Sequence, residues 1–128
     1  NNITSERRMK KLILLILLAC STGVYAQVNC SQLSEIADDN YTELEALTLY
    51  KVSGGKGFRS YFYSAPSKAC KKNQVFVIPK DTVVAYYSFN NEGQQWLYAV
   101  YTNKNNVKTT GWLRENTLIF AGTTALDD

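Results

Sequence analysis

The stretch "TTGWLRENTL", residues 109–118, places a tryptophan directly after a glycine where a short strand is expected to begin. Gly111 carries no side chain, so the backbone can turn tightly there or pass close to a neighbouring segment. Trp112 brings a large ring that covers the end of a small core. We therefore predict structural roles for Gly111, Trp112 and the second tryptophan, Trp96. Direct contact of either indole with a ligand is the alternative.

The sequence on both sides of this stretch has the composition of a β protein. From Leu47 onward it is rich in Val, Tyr, Phe, Thr and Trp, and turn-forming residues interrupt it at short intervals. Apolar residues alternate along residues 82–89 and 95–101, which is the period of a strand. The predicted strands are residues 47–52, 59–63, 74–78, 82–89, 95–101, 109–113 and 117–120.

The segment before these strands has a different pattern. Between residues 31 and 45, apolar residues recur at steps of three and four, with Ser31 as the expected N-cap. Such spacing predicts one or two short helices. The residues that carry it are Leu33, Ile36, Ala37, Tyr41 and Leu44.

Four motifs resemble successive strands of bacterial Src-homology-three-like domains. In chain order they are "YFYSAPSKAC", "FVIPKDTVVAYYSFN", "WLYAVYT" and "TGWLRENTL". The resemblance implies a mainly β fold, a small antiparallel Src-homology-three-like β-barrel at residues 47–121, with a partly helical acidic segment at 27–46 before it. Residues 122–128 are then expected to be a disordered tail. These domains serve as binding modules, so the resemblance also implies a binding function.

The N-terminal region resembles an export signal. From Met9, "MKKLILLILLACSTGVYAQ" has two lysines, an apolar run and a small-residue end at Ala26. This predicts a signal peptide at residues 9–26, and therefore a periplasmic or secreted protein with no membrane span left after cleavage. Residues 1–8 are predicted to be a non-native leader, with a slightly longer signal region as the alternative. Because "LLAC" resembles a lipobox, lipidation of Cys20 is the competing hypothesis.

Cysteine usage is consistent with export. Once the signal is removed, Cys30 and Cys70 form an isolated pair in an oxidising compartment, which predicts a disulfide. Closing a loop of about forty residues would stabilise the fold by roughly 4 kcal/mol. A metal site built from two cysteines and no histidine is the less favoured alternative.

Charge is balanced in total but sorted along the chain. Four of the fourteen cations and one of the eleven anions precede the predicted cleavage site, which leaves ten of each, so net charge gives no case for nucleic acid. Acids dominate residues 35–45, and residues 46–80 carry only cations. Either both segments form solvated surfaces that attract each other, or the basic segment binds an acidic partner.

The candidate binding residues combine this basic segment with tyrosines. A domain this small cannot bury all nine tyrosines, and exposed tyrosine is favoured at interfaces. The alternative is that these tyrosines are half-buried strand residues. The predicted site consists of Tyr61, Tyr63, Lys68, Lys71, Lys72 and Tyr86.

Catalysis has no support in the sequence. The chain has no histidine, no Gly-x-Ser-x-Gly motif and no cluster of metal ligands, and "SGGKG" at residues 53–57 is predicted to be a hairpin turn. We therefore predict a monomeric binding protein without cofactor or metal. The favoured partner is a protein of the cell envelope, such as a toxin, which would make this an immunity or inhibitor protein. Binding of peptidoglycan peptides is the alternative.

Overall fold

The structure, a computed structural model, describes residues 27–124. The predicted leader, signal peptide and Cys20, and residues 125–128, lie outside this range. The elements are helix α1 (Cys30–Asn40) and strands β1 (Thr42–Val52), β2 (Ser60–Tyr63), β3 (Lys71–Val77), β4 (Thr82–Asn91), β5 (Gln94–Thr102), β6 (Lys108–Arg114) and β7 (Leu118–Thr124). Single turns of 3-10 helix, Lys68–Cys70 and Glu115–Thr117, precede β3 and β7. The prediction of a mainly β fold with one short helix is confirmed.

The seven strands form one antiparallel sheet in the order β3-β2-β6-β5-β4-β1-β7. The sheet is open, because β3 and β7 are its two edges and do not pair with each other. The described strands therefore do not close into the barrel that the sequence analysis predicted. The joint between β2 and β6 is short, with Tyr63 opposite Trp112 as its register pair.

One face of the sheet encloses the main hydrophobic core. Buried residues from β1 to β6 form a single cluster, although β1 and β3 are separated by four strands in the sheet order. The sheet must therefore curl around this cluster. Its members are Val52, Phe62, Val77, Val83, Ala85, Leu97, Ala99 and Leu113.

The opposite face carries a second, aromatic cluster beneath the helix. Trp96 and Trp112 are 0% and 1% exposed, and they pack with Tyr63 and with Ala37 of α1. The indole N–H of Trp96 donates to the carbonyl of Asn91 at 3.1 Å, so the ring is buried with its polar atom satisfied. Both tryptophans are therefore part of the packed interior.

The disulfide between Cys30 and Cys70 is present, and it fastens the first residue of α1 to the turn before β3. The N-cap lies two residues earlier than expected, because the side chain of Asn29, not Ser31, accepts from the amide of Gln32 at 3.0 Å. Among residues 27–124, no helix is long and apolar enough to cross a membrane, since α1 has 11 residues.

Several boundaries differ from the sequence prediction. Strand β3 begins at Lys71, three residues before the predicted strand 74–78. The apolar periodicity continues to Leu44, but α1 ends at Asn40, and Thr42 and Glu43 pair with β4 instead. Strand pairing overrides the helical pattern here, and the expected boundary between residues 46 and 47 falls inside β1. Residues 122–124, expected in a disordered tail, belong to β7, where Gly122 pairs with Leu49.

Gly111 lies where β6 passes close to β2. A Cβ atom at this position would lie 3.1 Å from Cδ1 of Phe62 and 3.2 Å from the carbonyl oxygen of Tyr63, with the glycine at φ +157°. Trp112 was expected near the start of a strand, but it lies inside β6, which begins at Lys108. The glycine therefore lets a core phenylalanine and a neighbouring backbone approach β6.

Candidate functional site

A groove lined by basic and aromatic side chains lies between β2, the turn before β3 and the end of β6. We call it the basic groove. Its volume is about 270 Å³. It is lined by Phe58, Arg59, Ser60, Tyr61, Tyr63, Lys68, Lys71, Arg114 and Thr117.

The turn that carries Lys68 is held by the β4–β5 hairpin. The carboxylate of Glu92 accepts from the hydroxyl of Ser67 at 2.7 Å and from the amide of Lys68 at 2.8 Å. The side-chain amide of Asn91 donates to the carbonyl of Pro66 at 2.8 Å. Because the disulfide at Cys70 holds the other end of the turn, the lysine is presented from a fixed backbone.

Cations of the groove lie against aromatic rings. The ammonium of Lys71 is 3.8 Å from the centre of the Tyr61 ring. The guanidinium of Arg114 is 5.2 Å from the centre of the Tyr63 ring. These contacts fall within the range of cation–π attraction, which positions a cation without neutralising it. Both cations therefore keep their hydrogen-bond donors for a ligand.

No acidic side chain lines the groove to balance its cations. None of its lining residues is Asp or Glu, and within residues 27–124 no side-chain nitrogen of Lys or Arg lies within 4.0 Å of a carboxylate oxygen. The Nε atom of Arg114 is buried without a hydrogen-bond partner. A buried guanidinium donor without an acceptor is costly, and an anionic group would satisfy it only by drawing the guanidinium out of its buried position.

Two hydroxyls complete the wall near Arg114. Thr117 Oγ1 donates to the carbonyl of Arg114 at 2.7 Å, and it lies 2.7 Å from Oγ of Ser60. Because the proton of Thr117 is already committed, Ser60 is the donor in that pair. These bonds hold the end of β6 against the start of β2, and so they fix the position of Arg114.

The structure brings together four of the six predicted site residues. Tyr61, Lys68 and Lys71 line the basic groove, and Tyr63 does so as a largely buried ring that is 5% exposed. Lys72 is exposed but does not line the groove. It follows Lys71 in β3, where successive side chains point to opposite faces.

Tyr86 lies elsewhere, in a second hollow. It is 39% exposed on β4 and borders a space of about 630 Å³ whose acidic residues are Glu43 and Glu45. Tyr86 therefore does not join Tyr61 and Tyr63 in the basic groove. The acidic segment and the basic segment meet the solvent in different hollows of the fold.

Tyr87 forms the aromatic wall of this acidic hollow. Its ring stacks on Tyr98 at 4.9 Å and contacts Tyr41 at 4.0 Å. Burial, followed by the nearby Tyr98, Asp38 and Tyr41, raises the pKa of Tyr87 to about 12. The hydroxyl therefore stays protonated at neutral pH and cannot act as a base there.

Sequence reasoning missed the two arginines of the groove, Arg59 and Arg114. A signal for Arg114 was present, since it follows Trp112 by two positions and so shares its face of β6. Arg59 precedes β2 by one residue, and its place depends on how the 53–59 connector turns. Alternation does not predict that path.

No metal site is evident between residues 27 and 124, because no three His, Cys, Asp or Glu side chains are grouped to hold an ion. Comparisons with protein-family models, curated proteins and solved structures each found no match to this chain. The site is therefore interpreted from its own chemistry.

Proposed function

We propose that this chain is an exported, non-enzymatic binding domain whose basic groove captures an acidic segment of a protein partner in the cell envelope. The observation that carries the proposal is the set of four cations that share one groove without an acidic partner. These cations are Arg59, Lys68, Lys71 and Arg114.

The groove offers an acidic segment both charge and geometry. Arg114 has a planar fork that suits a carboxylate. Its buried Nε atom lacks an acceptor and would become available to a ligand if the guanidinium moved outward. Lys71 and Tyr61 form one wall, where the ring supplies apolar contact and the ammonium supplies charge. Because the Glu92 bonds and the disulfide already hold this wall, little ordering entropy is lost on binding.

An envelope location is part of the proposal. It is supported by the signal-like sequence before Gln27 and by the disulfide, since disulfides persist in oxidising compartments. An immunity or inhibitor protein that masks the acidic surface of a toxin is the form of this function that we favour. A small domain that is held by a disulfide and has separate acidic and basic surfaces is suited to masking another protein.

We also propose that the curled sheet is a divergent Src-homology-three-like domain. The support is the order of its sequence motifs and the wrapping of one sheet around one core. The open edge between β3 and β7 and the added helix α1 distinguish it from a closed barrel.

The test is capture of proteins from envelope extracts by the purified protein and by two matched variants. The groove variant carries Lys68→Glu with Lys71→Glu. The control carries Lys72→Glu with Lys104→Glu, which makes the same charge change at exposed residues outside the groove. We expect a salt-sensitive protein partner that the groove variant loses and the control retains, with all three thermal melts alike.

The peptidoglycan alternative is tested in the same preparation. Cosedimentation with insoluble peptidoglycan that survives high salt, with no protein retained, would overturn the proposal and assign the groove to a cell-wall peptide. Equal capture by the groove variant and the control would show that the basic groove does not bind the partner.

A further inference from the structure

Beside the basic groove, two apolar hollows of about 590 and 430 Å³ adjoin each other. They share Gly54, Pro79 and Lys80, so they form one continuous surface, which we call the apolar shelf. The shelf runs from the end of β3 to β7. Its largest apolar side chains are Phe58, Phe76, Ile78, Ile119 and Phe120.

Three of these side chains are exposed to an unusual extent. Ile78, Ile119 and Phe120 are 48%, 58% and 63% exposed. A single exposed apolar residue is ordinary, but several on one continuous surface mark an interaction site. The shelf therefore has apolar contact area that the chain itself does not cover within residues 27–124.

Cations ring this apolar area. Lys51, Lys56 and Lys80 line the two hollows, and neither hollow is lined by Asp or Glu. The carboxylate nearest in sequence, that of Asp81, is turned back to accept from the amide of Ile78 at 2.9 Å. The shelf thus combines protruding apolar side chains with uncompensated positive charge.

We propose that the apolar shelf docks on an anionic lipid surface. Ile119 and Phe120 leave opposite faces of β7, but β7 is an edge of the sheet. In an edge-on approach both side chains would enter the boundary between headgroups and acyl chains, where a partly exposed apolar side chain gains by leaving water. Lys51 and Lys56 would then lie at the level of the anionic headgroups, which attract cations close to the surface. The complementarity of charge selects this occupant.

A second copy of the chain fits the shelf less well. A two-fold contact brings the same patch of both copies together. Lys51 lies opposite Ile119 in the β1–β7 ladder, so such a contact would bring the cations of both copies into one interface. An anionic bilayer has no such conflict.

The docking proposal does not depend on the proposed function, but the two surfaces are neighbours. Phe58 and Arg59 line both the apolar shelf and the basic groove. A docked domain would therefore hold its groove, and any captured partner, close to the lipid surface.

Vesicle sedimentation tests this docking. The probes are vesicles of phosphatidylcholine alone and vesicles in which about a third of the lipid is phosphatidylglycerol. We expect the unaltered protein to pellet with the anionic vesicles, much less with phosphatidylcholine, and less as salt rises. All variants keep the same N-terminal residues, so any contribution of the predicted signal is common to them.

Two variants and two matched controls locate the contact. Ile119→Ser with Phe120→Ser should lower the partition coefficient about tenfold, and Lys51→Glu with Lys56→Glu should lower it at least about tenfold. The apolar control is Ile36→Ser with Val107→Ser, at residues 45% and 57% exposed outside the shelf. The charge control is Lys104→Glu with Lys108→Glu, and both controls should bind within about twofold of the unaltered protein.

Several outcomes would overturn the proposal. They are failure of the unaltered protein to pellet with anionic vesicles, equal binding to both vesicle types, and unchanged binding by the charge variant. A concentration-dependent dimer that Phe120→Ser abolishes would assign the shelf to a second copy. Loss of vesicle binding with protein capture intact would leave the proposed function standing, because capture is tested at Lys68 and Lys71.

Discussion

The ammonium of Lys71 lies 3.8 Å from the centre of the Tyr61 ring, and both side chains line the same groove. The ring fixes the cation from one side and leaves the other side open to a ligand. A tyrosine that holds a cation in place contributes to binding through contact area and through position.

Tyr61→Ala should therefore weaken capture of the partner by about tenfold or more, which is the scale of an interface hot spot. Tyr86→Ala is the matched control, because Tyr86 is an exposed strand tyrosine in the acidic hollow. Binding isotherms of the captured partner provide the measurement. An equal loss of affinity in the two variants would show that the basic groove is not the binding site.

Replacing Cys30 and Cys70 by serine should lower the free energy of unfolding by about 4 kcal/mol, because the disulfide closes a loop with a sequence separation of 40 residues. Urea unfolding measures the change. Mild reduction of the unaltered protein should give the same decrease, and a decrease below about 1 kcal/mol in both experiments would contradict the expected loop-closure effect.

Gly111→Ala should lower the free energy of unfolding by about 1–3 kcal/mol, since the new methyl group would press on Phe62 and on the backbone of Tyr63. Gly55→Ala is the control, because a Cβ atom there meets nothing within 4 Å. Chemical denaturation compares the two. Equal stability of both variants would show that β2 moves aside without cost.

Trp112→Ala should lower the free energy of unfolding by about 3–5 kcal/mol, because the removed ring is buried and packs edge-on against Tyr87 and Tyr98. Thermal melts and partner capture are measured together on this variant. An unchanged melt with lost capture would assign the indole to the ligand site, which is the alternative that the sequence left open.

Stability should fall as pH rises from about 10 to about 12. Burial raises the pKa of Tyr87 from 10.0 to about 12, so the folded state keeps the proton that the unfolded chain releases near pH 10. The resulting stabilisation is complete below the unfolded pKa and is lost as pH passes the folded pKa. Tyr87→Phe should make this dependence less steep in alkaline denaturation curves. An equally steep curve would mean that other tyrosines cause it.

The strands were predictable because their side chains alternate. In β4, Val83 and Ala85 are buried while Tyr86 is exposed, and such a period requires only local sequence. The start of β1 was not predictable in this way, because Glu43 pairs with Tyr87 across the sheet, and helical periodicity continues through the same residues.

The groove was predictable only in part for the same reason. Lys68 and Lys71 flank Cys70, so their proximity to each other follows from the sequence and the disulfide. Arg114 comes from a strand more than forty residues away in the chain. Its place beside Tyr63 depends on the β2–β6 pairing, which no local pattern encodes.

Arg114 also connects the basic groove with the aromatic cluster, since its guanidinium lies 5.6 Å from the Trp96 ring. Both tryptophans of the protein are buried in that cluster, so their ultraviolet emission reports on one small region. An anion that draws the guanidinium away from the ring alters the electric field at the indole and therefore the emission wavelength. We therefore expect tryptophan emission to report on occupancy of the groove, so that a ligand can be titrated without attaching a dye.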